Sequence, residues 1–127
     1  MAKVNVTMGS NDLGRSRRFY DAVMAVLGGV FEGAYLPDKF YYRLGDNVLV
    51  WVSKPFDGGA ASVGNGSMVS FGCVDKAAVD AAYAAALAQG GRDEGAPGPR
   101  AHYGPDYYGA YVRDPEGHKL SFVVTGA

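Results

Sequence analysis

Two histidines, one cysteine and a run of tyrosines are the side chains of this 127-residue chain best suited to chemistry. His102 stands beside Tyr103 in AHYGPDYY, and an imidazole titrates near neutral pH and can shuttle protons. It is the acid–base candidate, and the plainer alternative is a loop histidine that only hydrogen-bonds. His118 directly follows a turn glycine and is expected in solvent. Tyr103, Tyr107, Tyr108 and Tyr111 could offer flat ring faces and phenol hydroxyls to a ligand, or fill a core or a subunit seam. Strand alternation lets either Tyr107 with Tyr111, or Tyr108 with Ala110, face inward, but not both pairs. Cys73 falls on an apolar strand face and reads as a buried, inert thiol. No Ser-His-Asp or Cys-His arrangement follows from the spacing, and no paired carboxylates fall on the predicted inner face. A metal site built from His102 with Glu94 or Asp106 is the weaker alternative.

These groups need elements to hold them, and the sequence supplies the same order twice. Lys3 to Met8 alternates polar and apolar, Asn11 or Asp12 can cap a helix running to Leu27, and Gly28-Gly29 stops it. Ser67 to Cys73 then reads as a strand, Asp75 can cap a helix through Val79, Tyr83 and Leu87, and Gly90-Gly91 stops that one. Asn5 precedes Asp12 by the interval that separates Met68 from Asp75, so the strand-to-cap spacings match. Phe40 to Trp51 reads as strand, turn, strand, as does Tyr107 to Val124, where Asp114-Pro115-Glu116-Gly117 favours a type I turn. In each half a further strand, near Val30 to Leu36 and near Arg92 to His102, completes a β-α-β-β-β module. The predicted class is α+β, with module one at about 1–56, a Gly-rich linker at 57–66 and module two at about 67–127, forming a single domain. The linker lacks the Gly-Lys-Ser/Thr ending of a phosphate loop.

Composition bounds the function. A 48% hydrophobic fraction with 20% charged residues argues for a folded domain. A net charge of −1 gives no electrostatic footprint for nucleic acid or anionic membrane. No apolar run approaches the roughly 20 residues of a membrane span. With one cysteine and no signal pattern, a cytoplasmic location is expected.

Alternation assigns the strand faces. Val4, Val6 and Met8, then Val69, Phe71 and Cys73, then Leu120, Phe122 and Val124 form the expected helix-side core. Asn5, Thr7, Met68, Ser70, Lys119 and Ser121 fall on the opposite face.

The helix segment LGRSRRFYDAVMAVLG, the strand segment GNGSMVSF and the closing DPEGHKLSF occur here in the order and spacing of a known family. The chain resembles the glyoxalase, bleomycin-resistance and extradiol-dioxygenase (vicinal oxygen chelate) superfamily. That resemblance implies a cupped, open barrel-like sheet around a cavity with helices outside, and often a homodimer. It also implies metal ligands on the inner face, at positions that here hold Asn5, Met68 and Ser121. Asparagine and serine bind divalent ions weakly and a thioether suits copper(I), so no cofactor is expected and a divalent metal is the disfavoured alternative. The expected function is binding of a small aromatic or amphipathic molecule, with Asn5, Thr7, Trp51, Met68, Ser70, His102, Tyr108, Tyr111 and Ser121 as candidate ligand contacts. The alternatives are a glyoxalase-like lyase or isomerase, or a dioxygenase-related enzyme, using His102 and tyrosines or an unrecognised metal site, and a structural or regulatory dimer domain.

Overall fold

The computed structural model describes residues 3–126. Its element order is β1 (Val4–Gly9), α1 (Leu13–Leu27), β2 (Val30–Tyr35), β3 (Lys39–Leu44), β4 (Val48–Ser53), β5 (Met68–Gly72), α2 (Lys76–Ala88), β6 (Arg92–Pro99), β7 (Tyr108–Arg113) and β8 (Lys119–Val124), with a short 3-10 turn at Ala101–Tyr103. The two β-α-β-β-β modules build separate four-stranded sheets of equivalent topology, β1-β4-β3-β2 and β5-β8-β7-β6. In each, the first and last strands pair in parallel and the other pairs are antiparallel. The class is α+β as predicted, with cupped sheets that do not close into a barrel.

Local chemistry explains the helix limits. The Asp12 carboxylate accepts from Arg15 N at 3.0 Å and that of Asp75 from Ala78 N at 2.8 Å, each satisfying a donor the helix itself leaves free. Gly28 ends α1 in the left-handed region at φ 79°. Asp75→Ala should remove about 1 kcal/mol, lowering the melting temperature by about 4 °C. Thermal unfolding checks this, and an unchanged midpoint would contradict the capping role.

Phe19, Tyr20, Val23 and Met24 share one buried face of α1, packed with Phe40, Tyr42, Val50 and Val52 of the first sheet. On α2 the buried residues are the small Val79, Ala82 and Ala86. That lets the two helices approach closely. A Cβ at Gly91, just past α2, would lie 2.9 Å from the Phe19 ring and 2.7 Å from Ala86 O. Phe71, Ala110, Val112, Leu120 and Phe122 complete the core from the second sheet.

One expectation for the core needs correcting. Of Val4, Val6 and Met8, only Met8 is buried, and Val4 is 52% exposed. β1 is an edge strand of its sheet, and α1 lies over β2, β3 and β4 instead.

Candidate functional site

Because α1 covers one face of the first sheet, the other face stays open. Cross-strand register sets Thr7 beside Trp51 and Trp51 beside Tyr41. The Trp51 and Tyr41 rings stack at 4.1 Å between centroids, and Tyr35 stacks on both at 6.2 and 6.3 Å. Trp51 Nε1–H donates to Asn5 Oδ1 at 3.0 Å, fixing the indole. Tyr35 joins this stack because of a bulge in β2 between Phe31 and Gly33. One extra residue reverses the facing of the strand, so Phe31 meets Tyr42 on the helix side while Tyr35 turns to the open side.

Next to the stack, reached through Thr7 and Lys39 with none of the three stacked rings in its lining, lies a cavity of about 860 Å³. Thr7, Gly9, Lys39 and Ser53 form its floor, and residues 54–62, running from the end of module one into the linker, its wall. Asn11 holds that wall down, accepting from Ala61 N at 2.7 Å and donating to Ala61 O at 3.1 Å. Asp12 therefore caps the helix and Asn11 anchors the linker, which resolves the two sequence alternatives. The backbone approaches closely here: a Cβ on Gly9 would stand 3.0 Å from that of Ala61.

The second sheet's open face carries Met68, Ser70, Tyr111, Lys119 and Ser121. Register places Ser121 directly between Ser70 and Tyr111. Ser121 is fully buried, and its hydroxyl has no hydrogen-bond partner among the described residues. Such an orphan costs on the order of 1–3 kcal/mol. A smaller recess of about 280 Å³ joins the two open faces, lined by Thr7, Met68, Lys119, His118 and linker residues. His118 is half-buried there instead of solvated, with Nε2 at 2.8 Å from Gly9 O. A carbonyl only accepts, so Nε2 carries the proton in this contact.

The predicted site residues do not all converge. Asn5, Thr7 and Trp51 share one open face, and Met68, Ser70, Tyr111 and Ser121 share the other. Tyr108 lies on the helix side: its hydroxyl donates to Asp80 of α2 at 2.6 Å, and Lys76 sits 5.5 Å from its ring. Alternation along β7 cannot place Tyr108 and Tyr111 on one face. His102 is exposed on the 3-10 turn against Tyr103, at 4.1 Å between rings, and Tyr103 in turn packs at 5.1 Å on Tyr107. Burial, with Tyr111 as neighbour, pushes the Tyr107 phenol up to about 12.

Nor do the residues fit a divalent metal. Among the described residues no three His, Cys, Asp or Glu side chains cluster. The Asn5 oxygen is engaged by Trp51, Met68 offers only a thioether, and Ser121 a neutral hydroxyl. Glu94, the suggested partner of His102, is bound to Arg113 at 2.6 Å, and that guanidinium holds its carboxyl below the ordinary glutamate range.

A brace between the modules escaped the sequence reading. Glu116, in the β7–β8 turn, accepts from Asn11 N at 2.8 Å, Asn11 Nδ2 at 3.1 Å and Arg15 at 2.8 Å. Burial alone would raise its pKa, but the Asn11 amide and Arg15 outweigh that and lower it below 4.5. A depressed carboxyl stabilises the fold above its unfolded pKa, and that contribution is lost as pH falls through the folded value. Glu116→Gln should therefore flatten the fall in stability below about pH 4.5, a change measurable by urea unfolding across acidic buffers. A variant with the wild-type acid profile would count against the brace.

Comparison with known proteins agrees with this architecture. The family model described as Glyoxalase/Bleomycin resistance protein/Dioxygenase superfamily matches residues 4–122. A glyoxalase/bleomycin resistance protein from Albidiferax ferrireducens T118 is 35% identical, with 94% of this chain and 95% of that one covered and a TM-score of 0.84. A lactoylglutathione lyase from Agrobacterium tumefaciens shares the fold at 20% identity and a TM-score of 0.68, covering 97% of this chain and 92% of its own. A family enzyme from Burkholderia phytofirmans PsJN does so at 18% identity and 0.75, covering 98% and 99%. No curated protein matches significantly. Among the described residues no helix is long and apolar enough to cross a membrane. With the family model spanning nearly the whole chain, the protein belongs to the glyoxalase/bleomycin resistance protein/dioxygenase superfamily.

Proposed function

We propose that this protein binds a flat, aromatic or amphipathic small molecule on its open sheet faces, without a family-type metal. The observation that carries this reading is the Tyr35–Trp51–Tyr41 stack beside the 860 Å³ cavity. Rings already held in a stack lose little freedom when another ring is laid on them, and the volume suits a drug-sized ligand. Thr7 and Ser53 add hydroxyls at the floor. Tyr35, Leu36 and Phe56 leave apolar surface exposed, Phe56 on the cavity wall, which supports a homodimer. A cytoplasmic location is part of the proposal, in keeping with the single cysteine.

Trp51 is the sole tryptophan, so its fluorescence reports directly on this surface. Titration with a panel of planar aromatic compounds, in parallel with thermal shift, is expected to give saturable quenching and a raised melting temperature for at least one class. A flat response in both measurements across the panel would refute the reading. Light scattering in solution tests the dimer.

A further inference from the structure

We infer that the open face of the second sheet holds an anionic group, a carboxylate or phosphate, carried by the ligand, at Lys119 and Arg100 beside Tyr111. This rests on the reading of the open faces as the binding surface. Lys119 Nζ lies 5.6 Å and Arg100 Cζ 5.5 Å from the centroid of the same Tyr111 ring. The ion pairs among the described residues engage Arg15, Arg17, Arg43 and Arg113, and neither Lys119 nor Arg100 takes part in one. Arg100 donates to the carbonyls of Gly98, Pro99 and Ala96 at 2.9, 3.2 and 2.9 Å, which fix its guanidinium without neutralising it.

Glu94 does not cancel this charge. Glu94 is bonded to Arg113, and it also feels Lys119 and Arg92, so a single anion stands among several cations. The chain as a whole is net −1, and the positive excess is therefore local. Lys119 also lines the recess that joins the two faces, beside Thr7 and Met68. Ser121, buried and unpartnered, pairs with Tyr111 in register, and the exposed Ser70 lies one strand beyond it. Two cations beside one flat ring suit a planar acid.

Calorimetric titration with 2-naphthoate, 2-naphthyl phosphate, neutral 2-naphthamide and cationic 2-naphthylmethylamine tests the assignment. One or both anions should bind about tenfold more tightly than the amide, and the preference should shrink in high salt. The Lys119→Gln/Arg100→Gln double variant should bind the acid no more tightly than the amide, while Lys119→Arg keeps the preference. If the phosphate alone is favoured the ligand is a phosphate ester, and if naphthoate is favoured it is a carboxylic acid. Equal binding of all four compounds would overturn the anion assignment and leave the open-face reading standing. Failure of all four to bind would remove both.

Discussion

Asp114→Ala is expected to destabilise the fold by about 3–5 kcal/mol, since it strips a buried acceptor from several donors at once. Asp114 is 2% exposed. Its Oδ1 accepts from the backbone N–H groups of Glu116, Gly117 and His118 at 3.0, 2.9 and 2.9 Å, and its Oδ2 from the buried Tyr20 hydroxyl at 2.5 Å. One carboxylate thus shapes the β7–β8 turn and ties it to α1 of the other module. Tyr20→Phe should cost less, about 1–2 kcal/mol, because the three N–H donors keep their acceptor. Burial, and then Asp114, raise the Tyr20 pKa well above 10. A raised phenol pKa gives stability that is present below the unfolded value and is lost as pH rises past about 10. The alkaline fall should therefore be shallower in Tyr20→Phe. Urea unfolding of both variants measures this, and a loss under about 1 kcal/mol for Asp114→Ala would mean the turn stands without its carboxylate.

Trp51→Ala is expected to weaken ligand binding by about 30-fold or more, corresponding to about 2 kcal/mol. Trp51 makes the tightest ring contact of the cluster, 4.1 Å to Tyr41, and removing it leaves Tyr41 and Tyr35 with only their own contact at 6.3 Å. Stability should suffer less than affinity, because the indole is only half-buried on a face that no helix covers. Calorimetry compares the two quantities on the same sample. Unchanged affinity with a large loss of stability would make the stack a packing feature only.

Local features of the sequence carried over well. Asp12 and Asp75 sit at equal distances after their strands and both cap helices, and the Asp-Pro-Glu-Gly turn is where the residues place it. The two modules followed from these repeats because caps, turns and alternation act within a few residues. What stayed hidden depends on distant partners. Glu116 looks like an ordinary turn residue until Asn11 and Arg15 arrive from the other end of the chain. His118 looked solvated for the same reason, its partner being Gly9. Tyr35 was missed because alternation without the β2 bulge would have set it on the face of Phe31. The expectation that Val4 is core failed because sequence periodicity does not say which strand lies at a sheet edge.

Ligand titration of protein stripped with a chelator, run beside the same protein supplied with nickel, zinc, manganese or iron(II), tests the metal-free binding surface most directly. Asn5, Met68 and Ser121 predict the same affinity for planar aromatic ligands in every sample, and no tightly held equivalent of metal after dialysis. A stoichiometric divalent ion that survives dialysis, together with binding or turnover that appears only when that ion is present, would contradict it.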